Sequence, residues 1–301
     1  MNTSALPYIL QATPVLKIES TLGEGPLWDS VRQVLYWVDI EKKVVHVFDP
    51  HTNLHREWPV PKKVGTVALA SKGYLLLALQ GEIAELDPAT GKIKFRLNLE
   101  SELPENRCND GKCDPEGRFW VGTMHVDCKP RTGSLYCIDH QWRAHKVLQG
   151  LTIANGMGWS PEGTYMYFID SADHQVKRYK YDPQYVSLTE ERIVLQFENQ
   201  EELPDGMCVD NNGMLWIGFW GGGRVGRYDP ATGKHLADVR VAAPHVTSCC
   251  FGGKDLQTLY ITTARDGLSQ EQLLKFPLSG SLFSCDTSVK GSQAHIFGQK
   301  G

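Results

Sequence analysis

The sequence predicts an all-β protein, a six-bladed β-propeller with four-stranded blades. A turn followed by an apolar, aromatic-rich strand recurs six times along the 301 residues. The copies are 40 to 48 residues apart, the repeat length of blades built from several short strands. The anchors of the six strands are Trp37, Leu77, Trp120, Phe168, Trp216 and Tyr260. A β-sandwich or barrel would have equally short strands, but it does not predict six copies of one turn-strand phrase.

A second kind of turn lies between the anchors. It reads FDPHTN from Phe48, LDPATGK from Leu86, YDPQYV from Tyr181 and YDPATGK from Tyr228. Pro presets φ, Asp bonds to nearby backbone and Gly accepts positive φ, so these phrases are typical of tight turns. The segments around them are short and rich in β-branched and aromatic residues, as strands are. Because each blade buries its faces only against its neighbours, we expect residues 1–301 to form a single propeller domain, with the N- and C-terminal segments closing the ring.

Composition excludes several classes of partner. Charged residues make up 22% of the chain and the net charge is −4, so no electrostatic footprint for nucleic acid or an anionic membrane is present. The N-terminus lacks a positive region before its apolar residues, which predicts a cytoplasmic protein without a signal peptide. The eight cysteines form no C-x-x-C pair, so we expect reduced thiols rather than a zinc site. We expect a monomer that acts on a small molecule.

Polar residues recur in the same phase, just before a glycine that precedes the turn-strand phrase. They are Glu24, the pair Asn109-Asp110, Asn155 and Asp205. Equivalent positions of a propeller lie at equivalent heights around its channel, so these side chains should converge at one mouth. Oxygen donors of this kind favour Ca²⁺, Mg²⁺ or Mn²⁺, with Zn²⁺ also possible. Alternatively each is a turn residue, which explains Asn-Gly and Asp-Gly well but Glu24 poorly.

The phrases LGEGPLWD, NRCNDGKCDPEGRFWVGTM, IANGMGWS and LPDGMCVD resemble those of the senescence-marker-protein/regucalcin/gluconolactonase family. The resemblance extends from about residue 20 to residue 265. It implies a six-bladed propeller that holds one divalent metal in the channel and hydrolyses sugar lactones. The implied metal ligands are Glu24, Asn155 and Asp205. The implied substrate-binding residues are Arg107, Asn109 and, from its position shortly after Gly-Thr-Met, Asp127.

The predicted reaction is metal-dependent hydrolysis of an aldonolactone to the aldonic acid. The metal would polarise the carbonyl, Asp205 would assist water attack, and Arg107 and Asn109 would hold the substrate. One alternative is a hydrolase of another ester, and another is a metal-binding regulatory or interaction propeller without turnover.

Two further patterns predict no site. The glycine-rich phrase from Gly221 to Gly226 matches a dinucleotide fingerprint, but its flanks are strand-like, so we expect a tight loop. His51 and His55 are expected to be surface residues on an Asp-Pro turn.

Overall fold

The computed structural model describes residues 7–300. Two short strands come first, β1 (Tyr8–Gln11) and β2 (Thr13–Leu16). Blade one contains β3 (Gly23–Asp29), β4 (Val34–Asp39), β5 (Val44–Asp49) and β6 (Leu54–Pro59). Blade two contains β7 (Val64–Leu69), β8 (Leu75–Leu79), β9 (Glu82–Leu86) and β10 (Ile93–Asn98). Blade three contains β11 (Asn106–Cys113), β12 (Phe119–His125), β13 (Gly133–Ile138) and β14 (Ala144–Leu151).

The second half repeats this plan. Blade four contains β15 (Ala154–Trp159), β16 (Tyr165–Asp170), β17 (Gln175–Asp182) and β18 (Ser187–Gln196). Blade five contains β19 (Leu203–Val209), β20 (Leu215–Trp220), β21 (Arg224–Tyr228) and β22 (His235–Arg240). Blade six contains β23 (Val246–Gly252), β24 (Thr258–Thr263) and β25 (Leu282–Asp286). A short helix, α1 (Gln270–Lys275), lies between β24 and β25; within residues 7–300 no helix is long and apolar enough to cross a membrane.

Six sheets surround a central channel, which confirms the predicted six-bladed propeller. In each blade the first strand is innermost, and neighbouring innermost strands contact one another around the ring. The six anchors all lie on the second strand of their blade. Trp37, Trp120 and Trp216 are completely buried there, so the core consists of layers packed between blades rather than one central cluster.

The N-terminal strands complete the last two sheets. β2 pairs antiparallel with β25 as the outermost strand of blade six, where Thr13 lies opposite Ser284. β1 pairs in parallel with β22 at the outer edge of blade five, which therefore has five strands. Residues 1–6 and 301 lie outside the described part of the chain, and a single domain over residues 1–301 stays a prediction.

Buried aspartates fix the strand anchors of blades three and five. Asp114 begins the phrase DPEGRFW, and its Oδ2 accepts hydrogen bonds from Trp120 Nε1 at 2.8 Å, Tyr181 Oη at 2.7 Å and Arg118 Nε at 2.8 Å. Asp210 repeats the motif six residues before Trp216, whose Nε1 donates to Asp210 Oδ2 at 2.9 Å. Because Tyr181 belongs to β17, the Asp114 cluster joins blade three to blade four.

Asp114→Ala is expected to reduce the free energy of unfolding by about 3–5 kcal/mol, the usual cost of removing one partner from a buried ion pair. The variant would leave the Arg118 guanidinium and the Trp120 N–H without their buried acceptor. Urea unfolding followed by tryptophan fluorescence measures this loss. Asp87→Ala is the matched control, because Asp87 makes its hydrogen bonds in an exposed turn; equal losses in the two variants would contradict the assignment.

Candidate active site in the central channel

Each innermost strand has a β-bulge near its first residues. A bulge inserts one extra residue and redirects the side chains beside it, and bulges are frequent next to functional sites. The register shifts lie between Glu24 and Leu27 in β3, between Val64 and Thr66 in β7, and between Cys108 and Gly111 in β11. In the other three blades they lie between Ala154 and Met157 in β15, between Pro204 and Met207 in β19, and between Val246 and Ser248 in β23. The polar residues found in phase in the sequence are therefore at or beside these bulges.

Glycines allow the bulges to pack closely around the channel. A Cβ at Gly156 would lie 2.6 Å from the backbone oxygen of Asp205 on the neighbouring strand, which is closer than real Cβ contacts. Gly25 has a φ of +56°, a conformation that other residues adopt only with strain. The polar-Gly phrase therefore has a structural reason beyond turn formation: glycine lets two inner strands approach where the polar side chains are presented.

Three buried carboxylates share one local geometry. Glu24 Oε2 accepts a hydrogen bond from the N–H of Gly25 at 3.0 Å, and Asp110 Oδ1 accepts one from the N–H of Gly111 at 2.7 Å. The N–H of Gly206, the glycine that follows Asp205, likewise favours the charged carboxylate and lowers its pKa against the larger effect of burial. None of the three side chains is appreciably exposed.

Burial and mutual repulsion act on these carboxylates together. Burial raises the pKa of Glu24 well above its usual value, and the charges of Asp205 and Asp110 raise it further. Burial is also the largest cause that raises the pKa of Asp205, to which Asp110 adds. The pKa of Asp110 is raised by burial too. Negative charge is therefore unfavourable in the mouth of the channel unless a cation compensates it.

Two oxygen atoms in this group have no hydrogen-bond partner. Asn155 Oδ1 and Asp205 Oδ1 are buried and unpaired among residues 7–300. Asn155 Nδ2 donates to Ser171 Oγ at 3.0 Å, so the amide nitrogen is engaged and the carbonyl oxygen remains. Buried polar atoms are normally paired, and an unpaired one requires an explanation such as an ion. With the Glu24 carboxylate, these donors fit a hard divalent cation.

Arg107 and Asn109 are held beside the carboxylates. Arg107 Nη1 donates to Asn109 Oδ1 at 2.6 Å and to the backbone oxygen of Cys108 at 3.1 Å. Asn109 Nδ2 donates to the backbone oxygen of Ala154 at 2.9 Å, next to Asn155. Burial lowers the pKa of the Arg107 guanidinium, and the nearby carboxylates of Glu41 and Glu24 oppose that effect. Within residues 7–300 the hydrogen bonds of Arg107 all leave from Nη1, so Nη2 is available to a bound molecule.

Comparison with known proteins agrees with this architecture. The family model described as SMP-30/Gluconolactonase/LRE-like region matches residues 22–265. The putative sugar lactone lactonase YvrE of Bacillus subtilis (strain 168) is 37% identical over 91% of this chain and 94% of the relative. Human regucalcin is 36% identical over 92% of this chain and 96% of its own length. The chain belongs to the SMP-30/gluconolactonase family.

A solved member of the family has nearly the same fold. The crystal structure of regucalcin from Agrobacterium tumefaciens, described as a calcium-binding protein, superposes with a TM-score of 0.93 at 28% identity. The alignment covers 98% of this chain and 100% of that protein.

Asp127 is the one implied site residue that the structure leaves outside the buried group. It lies on the exposed turn after β12, and its side chain is 77% exposed. Its backbone N–H donates to His125 Nδ1 at 3.0 Å. The following residue, Cys128, is near enough to Arg107 to influence its pKa, so the turn passes beside the site. A contact between Asp127 and substrate stays a prediction.

Asp110 is the site residue that the sequence did not assign. It precedes Gly111 as Glu24 precedes Gly25, so its position in the repeat places it among the channel residues, but the sequence does not distinguish its role from that of Asn109. Asp110 also lines a cavity of about 320 Å³ deeper in the channel, together with Lys112. The C-terminal residues 292–295 line the same cavity. Asp110 therefore lies between the mouth of the channel and this inner space.

Proposed function

We propose that this family member hydrolyses a sugar lactone to the aldonic acid with one divalent metal ion held by Glu24, Asn155 and Asp205. The observation that carries the proposal is the pair of buried, unpaired oxygens on Asn155 and Asp205. They lie in a pocket of buried carboxylates whose pKa values are raised. A bound cation would both pair the two oxygens and compensate the negative charge of the carboxylates. The similarity to a putative sugar lactone lactonase supports the reaction class.

The reaction needs a polarised ester carbonyl, an attacking water and a protonated leaving oxygen. A bound divalent cation supplies Lewis-acid polarisation and lowers the pKa of water. Asp205 accepts the proton of the attacking water as the new C–O bond forms. It returns this proton to the ring oxygen when the ester bond breaks, so that the product carries a carboxyl and a hydroxyl group.

Arg107 and Asn109 position the substrate in this proposal. The free Nη2 of Arg107 donates to a hydroxyl or to the ester oxygen of the lactone, while Nη1 stays on Asn109. Two fixed polar side chains suit a polyhydroxylated ring better than an apolar ester, because an apolar substrate would leave them unpaired. Asp110 adds negative charge around the cation without contacting the substrate.

The donor set determines which ions are suitable. Carboxylate and amide oxygens are hard ligands, so Ca²⁺, Mg²⁺ and Mn²⁺ fit best and Zn²⁺ fits less well. We also propose that the protein acts as a cytoplasmic monomer. All eight cysteines are free thiols, which suits a reducing compartment.

The test of the proposal is acid release from a panel of glucono-, galactono-, xylono- and arabinono-lactone, followed with a pH indicator. The enzyme is stripped with a chelator and reloaded with Ca²⁺, Mg²⁺, Mn²⁺ or Zn²⁺. Hydrolysis restored by metal supports the lactonase. An aryl ester is assayed beside the lactones, and its hydrolysis alone would favour the other ester hydrolase. Metal binding without hydrolysis of any of these substrates would favour the regulatory or interaction propeller.

Arg107→Ala is expected to lower kcat/KM by about 10- to 100-fold, since charge-assisted hydrogen bonds contribute roughly 1.5–3 kcal/mol. Most of the change should be a higher KM, because Arg107 holds the substrate rather than the reacting proton. Steady-state kinetics on the best lactone of the panel measures it. Arg131→Ala is the control, because Arg131 is an exposed arginine that pairs with Asp173. An unchanged kcat/KM in Arg107→Ala would remove this residue from the site.

A further inference from the structure

A cluster of two histidines and a glutamate lies in blade one, outside the channel. His46 is on β5, and His55 and Glu57 are on β6. His46 lies directly opposite Glu57, and His55 lies opposite Phe48, so all three side chains share one face of the sheet. Trp37 of β4 is on the same face, opposite His46. The prediction that His55 is on the Asp-Pro turn is wrong, because the turn ends at residue 53 and β6 begins with Leu54.

The possible ligand atoms of this cluster are close together. His46 Nδ1 is 3.0 Å from His55 Nε2 and 3.6 Å from Glu57 Oε2. One possible ligand atom from each of the three residues lies within 4.8 Å of the other two. A tetrahedral ion with metal–nitrogen bonds of about 2.0–2.1 Å needs its ligands about 3.3 Å apart. The two imidazole nitrogens need to separate by only a few tenths of an ångström, and the exposed Glu57 carboxylate can rotate to complete the set.

The imidazoles are prepared to act as ligands. A hydrogen bond between two ring nitrogens requires one of them to offer a bare lone pair, so at least one ring is neutral. In agreement, burial lowers the pKa of His46 to about 3, and it also lowers the pKa of His55. The rings are held in place because Trp37 stacks on His46 at 4.7 Å and on His55 at 5.6 Å between centroids.

Access differs among the three residues. The side chain of His46 is 3% exposed, whereas that of Glu57 is 55% exposed. The Glu57 carboxylate can rotate toward an ion, and solvent can supply a fourth ligand from the same side. Strands are spaced about 4.8 Å apart, so β5 and β6 are two and three strands away from the channel ligand on β3. The cluster is thus separate from the candidate active site.

We propose that His46, His55 and Glu57 form a second metal site that binds a Zn²⁺-class transition ion. Two imidazole nitrogens and one carboxylate oxygen suit Zn²⁺, Co²⁺, Ni²⁺ and Cu²⁺ and are poor ligands for Ca²⁺ or Mg²⁺. The two sites differ in donor chemistry, so the protein can hold a hard ion in the channel and a softer one on blade one. His46 Nε2 has no partner within residues 7–300, so binding is weaker than at sites whose histidines are all supported.

A bound ion at this site links β5 to β6, both in the outer half of blade one. Because the ion binds the folded protein, it raises the melting temperature, and the rise grows with the logarithm of its free concentration once that concentration exceeds Kd. The proposal does not depend on lactone hydrolysis.

Calorimetric titration of Zn²⁺ into untagged protein tests the site while saturating Ca²⁺ occupies the channel. The wild type should bind one equivalent, and Co²⁺ titrated in its place should give the visible absorption of a four-coordinate ion. His55→Gln should weaken binding at least tenfold, and Glu57→Gln should weaken it to a smaller extent. His51→Gln is the matched control, since His51 lies on the neighbouring exposed turn and should leave binding unchanged.

Two controls separate the possible failures. Asp205→Asn should still bind one equivalent of Zn²⁺ at the histidine cluster, because Asp205 lies in the channel and not in the cluster. His55→Gln should keep the metal-free melting temperature of the wild type and lose only the rise in melting temperature caused by Zn²⁺, which excludes misfolding. Equal Zn²⁺ affinity in the wild type and His55→Gln would overturn the proposal, as would no binding by the wild type at micromolar Zn²⁺.

Discussion

Asp205→Asn is expected to lower kcat for lactone hydrolysis by about 10³-fold, within the range contributed by a general base. The amide keeps the size of the carboxylate, but it cannot accept the proton of the attacking water and it removes one negative charge from the proposed metal ligands. The variant should stay folded because burial, the largest influence on Asp205, disfavours the charge that the substitution removes. Initial rates with saturating metal measure the effect.

The same variant should be more stable than the wild type once metal is removed. Asp205 is a buried carboxylate whose charge is disfavoured by burial and by Asp110, so neutralising it removes a cost of folding. Asp87→Asn, in an exposed turn, serves as the control for both measurements. A variant that hydrolyses lactones at the wild-type rate, or a stripped variant that melts below the stripped wild type, would contradict the role of Asp205.

Removal of the metal is expected to abolish hydrolysis and to make stability fall as the pH rises. The pKa values of Glu24, Asp110 and Asp205 are raised in the folded state, whereas those of unfolded carboxyls are about 4. Below about pH 4 these carboxyls are protonated in both the folded and the unfolded state, so they do not make stability depend on pH. Above it the unfolded state ionises first, so the folded state loses stability until the pH passes the raised pKa values.

The measurement is the difference in melting temperature between Ca²⁺-loaded and stripped protein at pH 5 and pH 8. Taking this difference cancels the pH dependence of stability that comes from groups outside the channel. His46 is one such group: because its pKa is lowered in the folded state, it destabilises the protein as the pH falls, opposite to the channel carboxylates. Ca²⁺ is used because the histidine cluster does not favour it. The difference should be larger at pH 8. A difference that is constant, or larger at pH 5, would show that the carboxylates are not repelling one another in the channel.

The propeller could be predicted because its signal is local and repeated. Each anchor strand carries its own turn and its own aromatic residue, so six weak signals reinforce one another. Trp120 and Trp216 even share an aspartate six residues earlier that accepts their indole N–H. Closure by the terminal segments follows from the repeat, but the pairing of β2 with β25 and its register have no such local signal, because the two strands are far apart in the chain and neither specifies its partner.

The candidate site was predictable to the extent that its residues follow the repeat. Glu24, Asn155 and Asp205 could be found by their phase before glycine. Asp110 shares that phase, but Asn109 beside it is equally buried, and the two differ only in their partners: Asp110 accepts from the N–H of Gly111, whereas Asn109 bonds to Arg107 and to the backbone of Ala154. The histidine cluster depends on cross-strand register, which places His55 next to His46 rather than His51. The turn over residues 50–53 sets that register by pairing Asp49 with Leu54, and the exact end of the turn was not apparent from the Asp-Pro phrase alone.

The way blade six is assembled has a consequence for synthesis on the ribosome. β2 is made long before its only neighbour in that sheet, β25, because Thr13 pairs with Ser284 about 270 residues later in the chain. At translation rates of about 5–20 residues per second, β2 waits roughly 13 to 54 seconds as an unpaired edge. The channel mouth has the same constraint, since β23 must join β3 before the ring of innermost strands is complete. The ring of innermost strands around the proposed metal pocket is therefore complete only after β23 has been made, and chaperones that shield exposed strand edges should act on the blades made before it.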